Sequence, residues 1–510
     1  MMQSQPRSIR LYRLWSLLIL GAIVCIDLLH RFYPQSSMYG AFDDDFFYYA
    51  QIAKHLAHGA GSTFDGIHRT NGYHPLWLLC LTLFSFGDSG RMLFPLVTIT
   101  AILAVGSIFL LSMVCLRKFG VAAPGRYVIA TLIAFQSELL LRGGMEIAIA
   151  LPLILLLLSI YLSPRQHDAL FYFRSGLLSS LCILSRLDSI FLIVLLFSFT
   201  LMAQKSPRAS LGSIAVFAAG LTPLWVYFLL NKLLFKTFTP VSAQAKQLRL
   251  HRAPQLEPLR SLLHPFTTVR LLVVVPGILS TVVLLAFLLR KPDRFSPAAR
   301  TVLWSLALFP IVHLAILCFL SDWPLWYWYF YPLLLSLFAC MAASAAIFAP
   351  SPKAWIALAI GVSVVSLGYT TAFNVIHPPR KNALFLAARD IAGFSKTHPG
   401  IYAMGDRSGT PGYMISSPMI QLEGLVMDET YLDKLRIQPS LNSILSEYGV
   451  NYYVSSDATF KDGCYHTREP LQAGPDSACM LGAFCRQPDA TFTHNGIITR
   501  IFALSGSAPQ

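Results

Sequence analysis

Charge is what this chain has least of. Only 13% of its 510 residues are Asp, Glu, Lys or Arg, while 55% are hydrophobic. An ordinary soluble domain carries about 25% charged residues, so a soluble globular protein is excluded. A mean hydropathy of +0.57 points the same way, to a polytopic membrane protein. Acids are the scarcer sign: 25 Asp and Glu face 39 Lys and Arg, a net charge of +14. Membrane proteins collect Lys and Arg in cytoplasmic loops for topological reasons. The surplus is therefore read as topology, with anionic lipid second and no nucleic-acid partner. CxxC and Cys/His metal spacings are missing. No internal repeat is evident, which weighs against a secondary transporter. No small-residue cleavage site follows the first apolar run, and Arg7, Arg10 and Arg13 before it mark a retained signal anchor.

Six of the nine cysteines (Cys25, Cys80, Cys115, Cys182, Cys318, Cys340) lie in apolar segments and act as small hydrophobes. Cys464, Cys479 and Cys485 cluster in the polar C-terminal region. One disulfide among them is expected if that region is extracytoplasmic, with one thiol left over.

Apolar stretches near 14–32, 92–116, 127–141, 145–163, 169–185, 189–204, 209–233, 267–290, 301–320, 325–348 and 354–374 are candidate spans. The segment His74 to Gly87 has about 12 apolar residues, too few to cross, and is expected to lie at the interface. With it left uncrossed, Arg117, Lys118, Arg126, Arg165, Lys205, Arg208, Arg290, Lys291, Arg294 and Lys353 join the N-terminal arginines on one side. The positive-inside rule makes that side cytoplasmic. The chain is thus expected to be an α-helical membrane protein of about 11 transmembrane helices. Residues 1–375 form the membrane module, with juxtamembrane helices in a first outer loop at 33–91. Residues 376–510 form a small extracytoplasmic α/β domain, with helical patterns in "NALFLAARDIAGF" and "YLDKLRIQPSLNSILSEYG" and strand patterns in "IYAMGD", "YYVSS" and "GIITRIFAL".

On this topology the unusual polar residues all face outward. Asp43, Asp44 and Asp45 precede a helical pattern with Phe46, Tyr49, Ile52, Ala53 and Leu56 on one face and Gly59 as its stop. A helix N-terminus needs one acidic cap, not three. The following loop, "GSTFDGIHRTNGYHPLW", offers Arg69 and His74 to an anionic headgroup. Glu146 opens an apolar span and needs a cation, for which Arg142 and Arg186 are the natural partners. Arg186 with Asp188 repeats the pairing at another mouth. Lys246, Arg249 and Arg252 form a basic loop suited to phosphate, on the side where positives are least expected. A carboxylate that deprotonates a hydroxyl, beside cations that hold a leaving phosphate, is equipment for moving a sugar from a lipid-phosphate donor.

These pieces, in the order "DDDFFYYAQIAKHLAHGAGSTFDG", "TNGYHPLW", "GMEIAIALPLILL", "LSRLDSIFL", "FTPVSAQAK" and "GDRSGTPGY", resemble bacterial membrane glycosyltransferases of the GT-C superfamily over about residues 10 to 455. Among these are protein O-mannosyltransferase-like and aminoarabinose-transferase-like enzymes, and the first loop resembles the mycobacterial arabinofuranosyltransferase branch. The resemblance implies a bacterial plasma-membrane enzyme, N-terminus in and C-terminal domain out, that uses a polyprenyl-phosphate donor for inverting transfer to a glycan, lipid or protein acceptor. It implies an aspartate of the first loop as base, Asp45 or Asp44, with Asp43 an additional acid and Glu146 the second catalytic acid. Arg186, Lys246, Arg142, Arg69 and His74 are the candidates for the donor phosphate. Asp43, Tyr49, Asp188, Asp406, Arg407 and Glu423 are those for the acceptor side. The oligosaccharyltransferase relatives hold a divalent cation through further acidic motifs that this chain lacks, so no obligatory metal or other cofactor is expected, a non-obligatory divalent cation being the alternative. The alternatives are a transporter of lipid-linked sugars and a non-catalytic lipid-binding membrane protein.

Overall fold

The computed structural model describes residues 7–32, 38–86, 92–163, 168–204, 207–248, 253–263, 269–290, 292–372, 381–474 and 476–504. Arg249 and Arg252 of the basic loop lie outside them. Among the described residues, each apolar stretch picked out above is mainly helical. Six helices among the described residues are long and apolar enough to cross a membrane: Ile9–Leu28, Leu93–Lys118, Arg270–Arg290, Pro297–Leu320, Tyr327–Phe348 and Pro352–Thr371. The count is up to seven if Ser210–Gly220 and Thr222–Phe235, bent by 57°, form one span. Ile147–Tyr161, Ala169–Ser185 and Leu187–Met202 are apolar but shorter, and Ala123–Leu141 fills the remaining stretch.

Local chemistry sets several helix starts. Ser296 and Ser351 each precede a proline, and each side chain accepts the N–H three residues on, from Ala299 and Ala354. A serine N-cap with proline at the first helical position satisfies one orphan donor and removes another. The short segment at 74–87 is the helix Pro75–Ser85, 11 residues long. At 1.5 Å per residue it covers about half of a roughly 30 Å hydrocarbon core, so it does not span. It packs instead on the helix Asp44–Ala57. That helix buries a continuous run from Phe46 to Ala53.

The C-terminal region begins with the helix Lys381–Ser395. Strands β1 (Tyr402–Met404), β2 (Met419–Gln421), β3 (Tyr452–Ser455), β7 (Ala490–His494) and β8 (Ile497–Ala503) form one sheet, ordered β2-β1-β3-β8-β7. β1 is parallel to both neighbours, whereas β8 is antiparallel to β3 and β7. Strands β4 (Thr459–Lys461), β5 (Cys464–Glu469) and β6 (Met480–Phe484) make a second, antiparallel sheet. One disulfide forms among the three clustered cysteines, as expected, pairing Cys464 with Cys485. Cys479 is left free. The helical pattern over 431–449 is broken into Glu429–Arg436 and Leu441–Glu447. Pro439 lacks the N–H that a continuous helix needs, and Ser440 caps the second piece by accepting the Ser443 N–H. Buried apolar side chains run without a break from the membrane helices into this sheet, from Ile23 to Phe502.

Candidate active site

The three consecutive aspartates take three different environments. Asp43 is at the N-cap of the Asp44–Ala57 helix, yet its side chain makes no capping bond. It accepts the Tyr327 hydroxyl, and its own N–H donates to Gly143 O at 3.1 Å. A Cβ at Gly143 would lie 1.7 Å from Asp43 Oδ2, so only glycine admits this carboxylate. Asp44 faces the C-terminal region. Its carboxylate accepts the Gly409 N–H (2.9 Å), the Thr410 N–H (2.8 Å) and the Thr410 hydroxyl (2.7 Å). Burial pushes its pKa up, against the pull of those donors. Asp44 is therefore a clamp between the first loop and residues 409–414. Asp44→Ala should lower unfolding stability by about 1–3 kcal/mol, the range for stranded buried donors. Hydrogen exchange should quicken at Gly409 and Thr410; unchanged exchange there would refute the clamp.

Asp45 differs from both. It is half-buried, and no hydrogen bond or ion pair within 4 Å engages its carboxylate among the described residues. Burial pushes its pKa up to about 7, while Lys246 pulls it down and Asp44 and Asp43 push it further up. Lys246 Nζ in turn donates to the Tyr329 hydroxyl at 3.2 Å. No carboxylate lies within ion-pair distance of that ammonium among the described residues.

Behind this pair lies a buried ionic network. Arg186, 1% exposed, donates to Glu146 Oε1 at 2.5 Å and through Nε and NH2 to Asp188 at 3.2 and 3.0 Å. Asp188 also accepts from Tyr331 (3.1 Å), and His313 Nε2 lies 2.9 Å away. His74 accepts the Leu187 N–H on Nδ1, so in its neutral form the proton sits on Nε2, 3.7 Å from Glu146 Oε1. Burial lowers the His74 pKa, which favours that neutral form. Tyr49 is buried beside it, its hydroxyl taking the His74 N–H at 3.4 Å. The Arg186 guanidinium also lies 4.5 Å from the Tyr329 ring, the ring whose hydroxyl Lys246 meets.

One expected pairing is corrected. Arg142 does not partner Glu146. It grips Glu138, one turn earlier on its own helix, through Nε (2.6 Å) and NH2 (2.9 Å). An i,i+4 pair needs no folding over distance, and it wins locally. Arg69 is exposed on its loop and has no ion pair among the described residues. The loop itself is well tied: Asp65 accepts the Ile67 and His68 N–H groups. Asn71 takes the Val241 N–H at 2.9 Å and thereby docks the loop on the segment that carries Lys246.

In the C-terminal region Asp406 pairs with Arg407 at 3.1 Å. Glu423 is buried, accepts from Gln421 at 2.9 Å, and has its pKa pushed well up by burial and by Asp406 and Glu469. Among the described residues, no group of three or more His, Cys, Asp or Glu is arranged to hold a metal ion. Sequence reasoning missed Glu138, His313, Thr410, Glu469 and the tyrosines of "WYWYFY". The alternation Tyr327, Tyr329, Tyr331 was the available signal: each carries one candidate charge, Asp43, Lys246 and Asp188 in turn.

The fold is shared with two solved structures of ArnT. The structure of ArnT from Cupriavidus metallidurans bound to undecaprenyl phosphate matches with a TM-score of 0.56 and 13% identity, over 97% of this chain and 99% of that one. ArnT from the same organism in the apo state matches at 0.58 and 14%, over 87% and 93%. The arabinofuranosyltransferase AftD from Mycobacteria matches at 0.43 and 15%, over 87% of this chain and 35% of that one. No sequence-family profile matches the chain, and no curated protein sequence does.

Proposed function

We propose that this protein is an inverting glycosyltransferase that moves a sugar from a polyprenyl-phosphate donor to an acceptor hydroxyl on the extracytoplasmic side of a bacterial plasma membrane. The observation that carries this reading is Asp45: a carboxylate with no partner among the described residues, titrating near neutrality, opposite an ammonium with no described carboxylate within ion-pair distance. The acceptor oxygen attacks the anomeric carbon as its bond to the donor phosphate breaks. Asp45 takes the hydroxyl proton, and the phosphate leaves with the bonding electrons beside Lys246. ArnT, whose fold this chain shares, has been seen with undecaprenyl phosphate, which supports the donor class.

Lys246 is the phosphate-facing cation in this reading. Arg186 is already paired with Glu146 and Asp188, and Arg142 with Glu138. Glu146 then acts through Arg186 and His74, as a positioning residue rather than a second acid. The disulfide Cys464–Cys485 suits an oxidising, extracytoplasmic C-terminal domain.

The pH dependence follows with a definite sign. Below about 7 Asp45 holds its proton and accepts no other, so transfer should rise with pH through that value and level off above it. Lys246 lowers the Asp45 pKa, so Lys246→Gln should move the rise to higher pH. Initial rates of polyprenyl phosphate release across this range test both shifts. A flat profile would refute the base assignment, and retention of all phosphate on the lipid donor would favour a transporter.

A further inference from the structure

The segment Asn71 to His74 ties together the two elements that carry Asp45 and Lys246. Asn71 accepts the Val241 N–H at 2.9 Å and donates through Nδ2 to Thr239 O at 3.3 Å. It is thereby fixed to the short helix Val241–Ala245, which Lys246 closes. Gly72 permits this seat, since a Cβ there would lie 1.8 Å from Leu425 O. His74 then donates its backbone N–H to the Tyr49 hydroxyl at 3.4 Å. Tyr49 follows Asp45 by one turn on the Asp44–Ala57 helix, so the two share a face. His74 is thus held from both sides, by the helix of the base and by the segment of the cation.

The two ring nitrogens of His74 have different tasks. Nδ1 accepts the Leu187 N–H at 3.3 Å. A ring nitrogen that accepts carries no proton, so the neutral imidazole bears its proton on Nε2. The nearest carboxylate to Nε2 is Glu146, whose Oε1 is 3.7 Å away, beyond hydrogen-bond length. That same oxygen already accepts Arg186 at 2.5 Å. Nε2 therefore has no hydrogen-bond partner among the described residues, and it is not sealed inside the protein. The His74 side chain is 21% exposed, against 1% for Glu146 and for Arg186 behind it. An oriented N–H that opens outward from a buried ionic network lacks only an acceptor, and a substrate can bring one. Lys246 is close enough to act on the charge of this ring, as are Arg186 and Asp188. An anion that meets the Lys246 ammonium is therefore within the field of His74 too. A donor set in place beforehand stabilises charge as it develops on a leaving oxygen.

We propose that His74, as a neutral imidazole, donates its Nε2–H to an oxygen of the departing lipid phosphate, with Lys246 as the charged partner of the same anion. The assignment rests on the polyprenyl-phosphate reading, and the test separates the two. The full chain in detergent micelles is titrated calorimetrically with undecaprenyl phosphate, with undecaprenol as the uncharged control. The amide of asparagine overlays Nδ1 of histidine, and that of glutamine overlays Nε2. His74→Asn therefore keeps an acceptor for Leu187 and loses the outer donor, whereas His74→Gln keeps the donor. His74→Asn should bind the phosphate about 10- to 100-fold more weakly, the loss of one hydrogen bond to a charged group. His74→Gln should bind it more tightly than His74→Asn does. A ring that only holds Leu187 predicts the reverse order, and that order or equal affinities overturns the proposal. The native chain gives a second measurement that needs no variant to fold. Diethyl pyrocarbonate acylates neutral, accessible imidazoles, and peptide mass spectrometry compares His74 with the exposed His58. Undecaprenyl phosphate should protect His74 and leave His58 reactive, while undecaprenol protects neither. Equal protection by both lipids, or none by the phosphate, contradicts the hydrogen bond. A native chain that does not distinguish the phosphate from the alcohol overturns this proposal and the donor reading together. Weaker phosphate binding in Lys246→Gln with none in His74→Asn overturns this one alone.

Discussion

Asp45→Asn is expected to fold as the native chain does and to transfer sugar about 10²–10⁴-fold more slowly, the contribution of one positioned general base. The fold should survive because no donor depends on the Asp45 carboxylate among the described residues. Asn keeps the shape and loses only the proton-accepting charge. Asp44→Asn is the informative contrast. Asp44 holds three donors of residues 409–410, so its loss should act first on stability and on the seating of the C-terminal region. A rate loss in Asp44→Asn should therefore come with a lower melting temperature, while that of Asp45→Asn should not. Turnover with the lipid-linked sugar that co-purifies, identified by mass spectrometry, together with melting curves in detergent, measures both. Full activity in Asp45→Asn refutes the assignment.

Arg186→Met should cost about 3–5 kcal/mol, enough to leave little folded protein. The guanidinium is 1% exposed and neutralises Glu146, also 1% exposed, as well as Asp188. Removing it strands two carboxylates among tyrosines, with His313 and His74 the nearest remaining partners. A buried pair removed whole costs far less than one partner removed alone. Glu146→Gln combined with Arg186→Met should accordingly be less damaging than the two single losses added. Size-exclusion profiles and melting temperatures of the four proteins form the cycle. Additive losses would mean that the pair does not act as a unit.

The sequence made the membrane elements readable because periodicity and length are local properties. The Asp44–Ala57 helix, the short Pro75–Ser85 helix and the apolar stretches follow from patterns within a few turns. The candidate residues were also legible as types: an acid or a cation at membrane depth needs a reason. Their partners were not legible. Asp44 meets Thr410 across 366 positions and Asp43 meets Tyr327 across 284, and no period encodes such a meeting. The same blindness worked in reverse at Arg142, where attention to a distant partner hid Glu138 four residues away. The second sheet was missed because its strands are short and half-exposed, with little alternation to mark them.

The most direct test is a cryo-EM structure of the purified protein with a bound polyprenyl phosphate. The phosphate oxygens should lie within ion-pair distance of Lys246, about 4 Å, with the Asp45 carboxylate facing the same space and Arg186 still holding Glu146 and Asp188. A phosphate seated instead on Arg69 or Arg142, or one that draws Arg186 out of its network, contradicts the account.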